Sequence, residues 1–148
     1  EILELPGHTL DHIALHHKNL LFCGDTLLSL GCGRIFDGSA SLLFRSLQKI
    51  KALPPATLVY CSHEFTLKNG EFCLQYEPTN QDLRDRILEA KIQRQRNIPT
   101  IPSPLSMELK TNVFLRCHLP QLRRSLGLEL HASDEEVFTE LRKRKDTY

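Results

Sequence analysis

The sequence contains no tryptophan, a single methionine and no long apolar run. A membrane-spanning helix needs about 20 consecutive apolar residues, and no such stretch occurs among the 148 residues. An excess of charge is also missing, because 19 basic residues stand against 18 acidic ones. We therefore expect neither a nucleic acid nor a membrane surface as a partner, since both attract strongly basic proteins.

A disulfide framework is not indicated either. The five cysteines are an odd number, and no two of them form a C-x-x-C pair; they are Cys23, Cys32, Cys61, Cys73 and Cys117. Cys23 and Cys61 lie in apolar runs, where cysteine usually behaves as a small buried hydrophobic residue. We expect a reducing compartment, the cytoplasm first, with the mitochondrion as the alternative.

The first 64 residues alternate short strands with one helix. Apolar and β-branched runs predict strands at 2–5, 12–16, 20–23 and 57–61. Apolar spacing predicts an amphipathic helix at 41–53 that ends before two prolines. This alternation predicts a layered α/β fold, and we assign residues 1–64 to a partial α/β domain.

The remaining residues, 65–148, read as a helical domain. The pattern predicts a helix over 66–76, a second helix capped by Thr79, and an extended proline-rich segment at 99–104. Ser133-Asp134-Glu135-Glu136 is a capping-box sequence that predicts the start of a last helix.

Three potential metal ligands each follow a predicted strand: His8, Asp25 and His63. If the strands point the same way, the three side chains meet at one edge of the sheet, where open α/β sheets build sites. Two imidazoles and a carboxylate suit Zn²⁺ or Fe²⁺, and a carboxylate can bridge two ions. Taken singly, each has a simpler explanation, as a turn aspartate or a hydrogen-bonded histidine at a strand end.

The motifs around these residues resemble the metallo-β-lactamase superfamily and, within it, the hydroxyacylglutathione hydrolases (glyoxalase II). Residues 6–12 resemble GHT-x-GH, 23–27 GDTL, 31–34 GCGR, 61–66 CGHEYT, 111–116 TNPFLR and 142–146 the terminal RR-x-KD. GDTL alone would be a weak signal. The full series, in order along nearly the whole chain, is much more specific.

The resemblance implies the C-terminal half of an αββα sandwich followed by a helical domain. It implies that His8 binds a first divalent ion, His63 a second, and that Asp25 bridges them, with His12 behind the ligands. Zinc is the first expectation, with iron and manganese as alternatives. The family's other ligands come from a T-H-x-H-x-D-H motif, which this sequence lacks. We therefore expect a C-terminal part of a longer enzyme, inactive by itself.

The resemblance also implies hydrolysis of S-D-lactoylglutathione to glutathione and D-lactate, in methylglyoxal detoxification, by a monomer that uses water as nucleophile. The substrate-binding residues it implies are Arg34, Phe36, Phe65, Asn69, Arg142 and Lys145. For the last two, the plain alternative is a solvated basic helix end. Phe36 and Phe65 stand where the family often has tyrosine, and each lost hydroxyl removes a hydrogen bond of about 0.5–1.5 kcal/mol.

Two other functions are open at this point. A persulfide dioxygenase with a single iron shares the first two motifs, whereas the GCGR-like loop and the basic last helix favour the hydrolase. The other alternative is a non-catalytic chain that only binds an anion or a partner.

Overall fold

A computed structural model describes all 148 residues, as a central sheet with helices packed on it. The strands are β1 (Ile2–Glu4), β2 (Ile13–His17), β3 (Leu20–Gly24), β4 (Leu27–Leu28), β5 (Gly31–Cys32), β6 (Leu58–Cys61) and β7 (Ser103–Pro104). The helices are α1 (Ala40–Lys51), α2 (Thr66–Tyr76), α3 (Gln81–Gln95), α4 (Leu105–Thr111), α5 (Pro120–Leu126) and α6 (Asp134–Asp146). A 3₁₀ turn spans Val113–Leu115.

Strand direction in the sheet positions the candidate ligands. The main sheet has the order β1-β2-β3-β6-β7, and β4 pairs with β5 in a separate hairpin. β1 and β3 are each antiparallel to β2, and β3 is parallel to β6. β1, β3 and β6 therefore run in the same direction, so the segments that follow them leave the sheet at one edge.

The helices cover only one face of this sheet. Side chains alternate between faces along a strand, and the row that includes Ala14, Leu21 and Val59 is buried. On the opposite face, register pairs Ile2 with Leu15, Leu15 with Phe22, and Phe22 with Tyr60. Ile2 is 65% exposed, Leu15 53% and Phe22 47%. An apolar row thus crosses four strands, with its first three members exposed and Tyr60 partly buried.

The core is continuous across the expected boundary at residue 64. A single cluster of 26 buried residues includes members from both sides of that position. The ring of Phe44 in α1 lies 5.6 Å from that of Phe138 in α6, which in turn lies 5.9 Å from Phe114. The last helix therefore packs directly on the α/β part.

The predicted elements agree with the structure in type, and the predicted α/β class is confirmed. Helix α2 has the predicted bounds, and the capping box at Ser133 and Glu136 is formed. The cap predicted at Thr79 is wrong by one residue, because the Asn80 side chain accepts the hydrogen bond from the Leu83 N–H. The sequence pattern does not predict β4, β5, α4 and α5, because these elements are too short to show a hydrophobic period.

None of the helices combines the length and the apolar character needed to cross a bilayer. All five cysteines are free thiols. Burial raises the pKa of the Cys23 and Cys73 thiols to about 12, so they stay protonated at neutral pH. They act as core residues.

Candidate metal centre

His8, Asp25 and His63 lie together where their strands leave the sheet. Nε2 of His8 is 3.0 Å from Oδ2 of Asp25, and Nε2 of His63 is 3.3 Å from Oδ1 of the same carboxylate. Each carboxylate oxygen thus faces a different imidazole. The three residues are separated by 17 and 38 positions, and the common direction of β1, β3 and β6 brings them together.

The imidazole of His8 is held in one orientation by the loop that follows β5. Its Nδ1 lies 2.7 Å from the Arg34 carbonyl oxygen, which can only accept, so Nδ1–H donates and Nε2 is the nitrogen that faces Asp25. The Phe36 N–H donates to the His8 carbonyl over 3.0 Å, and the two rings lie 5.0 Å apart. His8 is therefore fixed by backbone and side chain together.

His63 is more open to solvent. Its side chain is 48% exposed, and its ring stacks on Phe65 with centroids 4.8 Å apart. The Ser62 hydroxyl donates to the same oxygen of Asp25 that His63 faces. The His63 side of the site can accept a ligand more easily than the enclosed His8 side.

His12 lies behind the three candidate ligands. Its ring is 5.6 Å from the His8 ring, and its Nε2 donates to the Cys23 carbonyl oxygen over 3.0 Å. Gly24 has a φ of +54°, and a Cβ there would lie 2.8 Å from the His12 ring. His12 therefore supports the turn that carries Asp25 and makes no contact with the carboxylate itself.

Gly33 allows the loop after β5 to approach both His8 and Asp25. Its N–H donates to the Asp25 carbonyl oxygen over 2.8 Å. A Cβ at this position would lie 2.2 Å from that oxygen and 2.9 Å from Nδ1 of His8. Any larger residue would push the loop away from the site.

A cleft of about 370 Å³ opens beside the three residues. The implied substrate-binding residues Arg34, Phe36, Phe65, Asn69, Arg142 and Lys145 all line it, together with Leu28, Cys32, Gly33, Lys68, Asp146 and Tyr148. The side chains of Arg34, Lys68 and Lys145 form no ion pair with a carboxylate. The cleft therefore presents three uncompensated cations beside the candidate ligands.

Two of the implied substrate-binding residues are already engaged within the protein. Asn69 is 5% exposed, and its Nδ2 donates to the Ser29 carbonyl oxygen over 3.0 Å. Arg142 is also 5% exposed and donates to the Cys32 carbonyl and to Asp146. Both side chains hold the walls of the cleft in place.

Lys145 is placed differently from Arg142. Its ammonium lies 4.9 Å from the centroid of the Phe72 ring and 4.5 Å from that of Tyr148. Partial burial is the main cause that lowers its pKa to about 8, and the nearby charges of Arg142 and Lys68 act in the same direction. A part of the Lys145 population is therefore neutral slightly above physiological pH.

Sequence reasoning missed Lys68 and Tyr148. Lys68 follows Phe65 by three residues, so the helical i, i+3 spacing could have placed both on one face. Tyr148 offered no sequence signal. Its ring reaches the cleft because it packs against Phe72, with centroids 5.4 Å apart.

The donor set fits divalent transition-metal ions, although it is incomplete. Imidazole nitrogen and carboxylate oxygen are the ligands that zinc and iron prefer in proteins. The three groups do not surround one point as the ligands of a single ion do. Instead the Asp25 carboxylate lies between the two imidazoles, as a bridge between two ions would. Two ions need more than three donors, so further ligands would have to join these residues.

Comparison with protein families divides the chain into two matches. Residues 64–148 match the family model described as "Hydroxyacylglutathione hydrolase C-terminus". Residues 1–63 match the model described as "Metallo-beta-lactamase superfamily". The first match covers more than half of the chain.

Curated relatives with the same description align along the whole chain. A hydroxyacylglutathione hydrolase of Mesorhizobium japonicum is 45% identical over 150 residues, which cover 100% of this chain and 58% of that protein. One of Methylococcus capsulatus is 46% identical over 149 residues, which cover 99% of this chain and 58% of that protein. The chain thus spans less than two thirds of the length of these relatives.

Solved structures show a similar fold at low identity. ETHE1 from Myxococcus xanthus has a TM-score of 0.58 at 23% identity and aligns with 99% of this chain and 45% of its own. The B3 metallo-beta-lactamase BLEG-1 has a TM-score of 0.51 at 21% identity and aligns with 78% of this chain and 40% of its own. Both support the metallo-β-lactamase-like architecture.

Proposed function

The chain belongs to the hydroxyacylglutathione hydrolase family within the metallo-β-lactamase superfamily, and on that basis we propose that its complete protein hydrolyses S-D-lactoylglutathione to glutathione and D-lactate. One observation carries the proposal: Asp25 lies between His8 and His63 with one carboxylate oxygen toward each. We propose zinc as the metal, with iron and manganese as alternatives.

Each of the three residues has a distinct role at this centre. His8 would hold one ion through Nε2, His63 a second, and Asp25 both. Bound divalent ions supply Lewis acidity, which lowers the pKa of a water molecule and polarises a thioester carbonyl. The hydrogen bond from His8 Nδ1 to the Arg34 carbonyl oxygen sets the tautomer that leaves Nε2 free for an ion.

The cleft suits an anionic thioester. The side chains of Arg34, Lys68 and Lys145 lack carboxylate partners and can pair with the carboxylates of glutathione. Phe36 and Phe65 flank His8 and His63 with their rings, so apolar walls lie next to the reacting centre. Because a thiolate leaves readily, no side chain needs to protonate the leaving group.

Further ligands are required, and we propose that a preceding segment supplies them. The relatives are longer than this chain, and three donors are too few for two ions. The apolar row of Ile2, Leu15, Phe22 and Tyr60, of which the first three are exposed, offers a surface on which such a segment can pack. We propose that the complete protein is a cytoplasmic monomer and that these 148 residues alone are inactive.

The test compares two proteins, the intact protein that contains this chain and residues 1–148 alone, both supplied with Zn²⁺. Loss of the thioester absorbance of S-D-lactoylglutathione is followed, and metal content is measured by mass spectrometry. We expect turnover and two ions per chain only for the intact protein. Appreciable turnover by residues 1–148 would contradict the proposed division of the ligands. Oxygen consumption with glutathione persulfide and one iron per chain would instead identify the dioxygenase.

A further inference from the structure

We infer that Arg142 is a positioning residue for the metal ligands, because it fixes the loop that orients both His8 and Asp25. This inference rests on the metal centre proposed above. It gives the last helix a role in metal binding that is separate from the contact with substrate implied by the family resemblance.

The guanidinium of Arg142 is committed to the loop after β5. Its Nη1 donates to the Cys32 carbonyl oxygen over 2.8 Å and to the Gly33 carbonyl oxygen over 3.2 Å. Its Nη2 donates to Asp146 over 2.9 Å, and its Cζ lies 5.5 Å from the centroid of the Phe114 ring. Arginine has five N–H donors in a rigid fork. Nη1 reaches the two consecutive carbonyls and also the Cys32 sulfur at 3.6 Å, whereas the buried Nε has no hydrogen-bond partner.

The same loop makes the two hydrogen bonds that hold the ligands. The carbonyl oxygen of Arg34, the next one along the chain, accepts from Nδ1 of His8 over 2.7 Å. The N–H of Gly33 donates to the backbone carbonyl of Asp25 over 2.8 Å. Because each peptide unit is planar and only two torsions separate it from the next, fixing two carbonyls restricts the direction of the third. Arg142 therefore limits the directions in which the Arg34 carbonyl can point.

Lys145, on the same helix, differs from Arg142 because its charged group forms no ion pair within the protein and is free to bind substrate. It also lines the cleft, but its ammonium forms no ion pair and rests against the rings of Phe72 and Tyr148. Lys143 serves as the control for a cation of α6 without contacts. It is exposed, and its side chain makes neither a hydrogen bond nor an ion pair. Of the four cations of α6, Arg142 is thus a positioning residue, Lys145 a cleft residue and Lys143 a solvated one, while Arg144 pairs with Glu140.

The test uses the intact protein that contains this chain and measures Zn²⁺ affinity by competition with a chromophoric chelator. Arg142→Gln and Arg142→Lys are compared with Lys143→Ala, which removes the same charge from the same helix. Substitution of a group that orients a metal ligand typically lowers metal affinity by about 10–100-fold. We expect a loss of Zn²⁺ affinity in that range for both Arg142 variants. Lys143→Ala should bind Zn²⁺ as tightly as the parent.

Nitrogen NMR of the unmodified protein provides a second measurement, should both variants fail to fold. Separate, slowly exchanging Hη signals of Arg142 and an N–H on His8 Nδ1 are expected for the bonded loop. Averaged Hη signals would overturn the inference. So would Arg142 variants with unchanged Zn²⁺ affinity whose KM rises only for substrates that carry the glutathione carboxylates. A parent protein that binds no Zn²⁺ would instead refute the proposed metal centre.

Discussion

The buried carboxylate of Glu108 accepts a hydrogen bond from the Leu30 N–H over 2.9 Å, although the two residues are 78 positions apart. Leu30 has a φ of +58°, which non-glycine residues rarely adopt. The same carboxylate accepts from the hydroxyls of Ser29 and Ser103 and from Nδ2 of Asn112. No cation pairs with Glu108, so these four donors satisfy its carboxylate oxygens, and the carboxylate in turn holds the turn between β4 and β5.

Glu108→Gln should therefore lower the free energy of unfolding by about 2–3 kcal/mol, because an amide donor replaces an acceptor and leaves buried N–H and O–H groups unpaired. Glu89→Gln is the matched control, since Glu89 is exposed and pairs only with Arg86 at 3.3 Å. Chemical denaturation of the intact protein measures both changes. Equal denaturation midpoints for the two variants would show that the four hydrogen bonds to Glu108 contribute little to the free energy of unfolding.

Asp25→Ala should abolish thioester hydrolysis and reduce the metal content of the intact protein to below two ions per chain. The substitution removes the only carboxylate that faces both His8 and His63. Asp11→Ala is the control, because Asp11 is exposed on the loop after His8 and accepts only from the Thr9 hydroxyl. Full metal occupancy in Asp25→Ala would mean that Asp25 is a turn residue.

Gly33→Ala should weaken Zn²⁺ binding of the intact protein by about tenfold or more, because the new methyl group displaces the carbonyl of Asp25 and the His8 ring. Gly127→Ala serves as the comparison. Gly127 has a φ of +70°, and no atom lies within 4 Å of the position that a Cβ would occupy, so its substitution should cost about 1 kcal/mol of stability without changing metal affinity. Chelator competition and thermal unfolding separate the two effects. Unaltered Zn²⁺ affinity in Gly33→Ala would show that the loop after β5 can shift without displacing His8 and Asp25.

Substrate binding should depend on pH through Lys145. With its pKa lowered to about 8 by burial, the ammonium is charged below that pH and neutral above it. KM for an anionic glutathione thioester should therefore rise between pH 7 and pH 9. Lys145→Arg should remove this dependence, because a guanidinium stays protonated throughout the range.

Lys145→Ala should raise KM at pH 7 and leave metal content unchanged, since lost binding in ground and transition states appears in KM. Steady-state kinetics with S-D-lactoylglutathione and with a thioester lacking the glutathione carboxylates measure the effect, and Lys143→Ala is the charge-matched control. An equal rise in KM for both substrates would assign Lys145 a structural role.

Local signals in the sequence determined the main elements of the fold. These signals depend on residues within about four positions of each other. They are the capping box at Ser133, the strand-like runs of the first 64 residues, and the prolines that end the first helix. The three candidate ligands could also be selected, because strands that share a direction bring their ends to one edge. Short elements such as the β4–β5 hairpin escaped notice because two-residue strands have no measurable period.

Only the tertiary structure decided how the cleft is held together. Arg142 meets the Cys32 carbonyl across 110 positions, and Glu108 meets Leu30 across 78. Neither pairing can be predicted from sequence spacing, because the backbone group that each side chain contacts depends on how the helices and the sheet pack. The lowered pKa of Lys145 has the same origin, because it follows from burial against rings of two separate segments. The sequence determined which groups are available, and packing decided which of them are committed to one another and which are left free to meet a ligand.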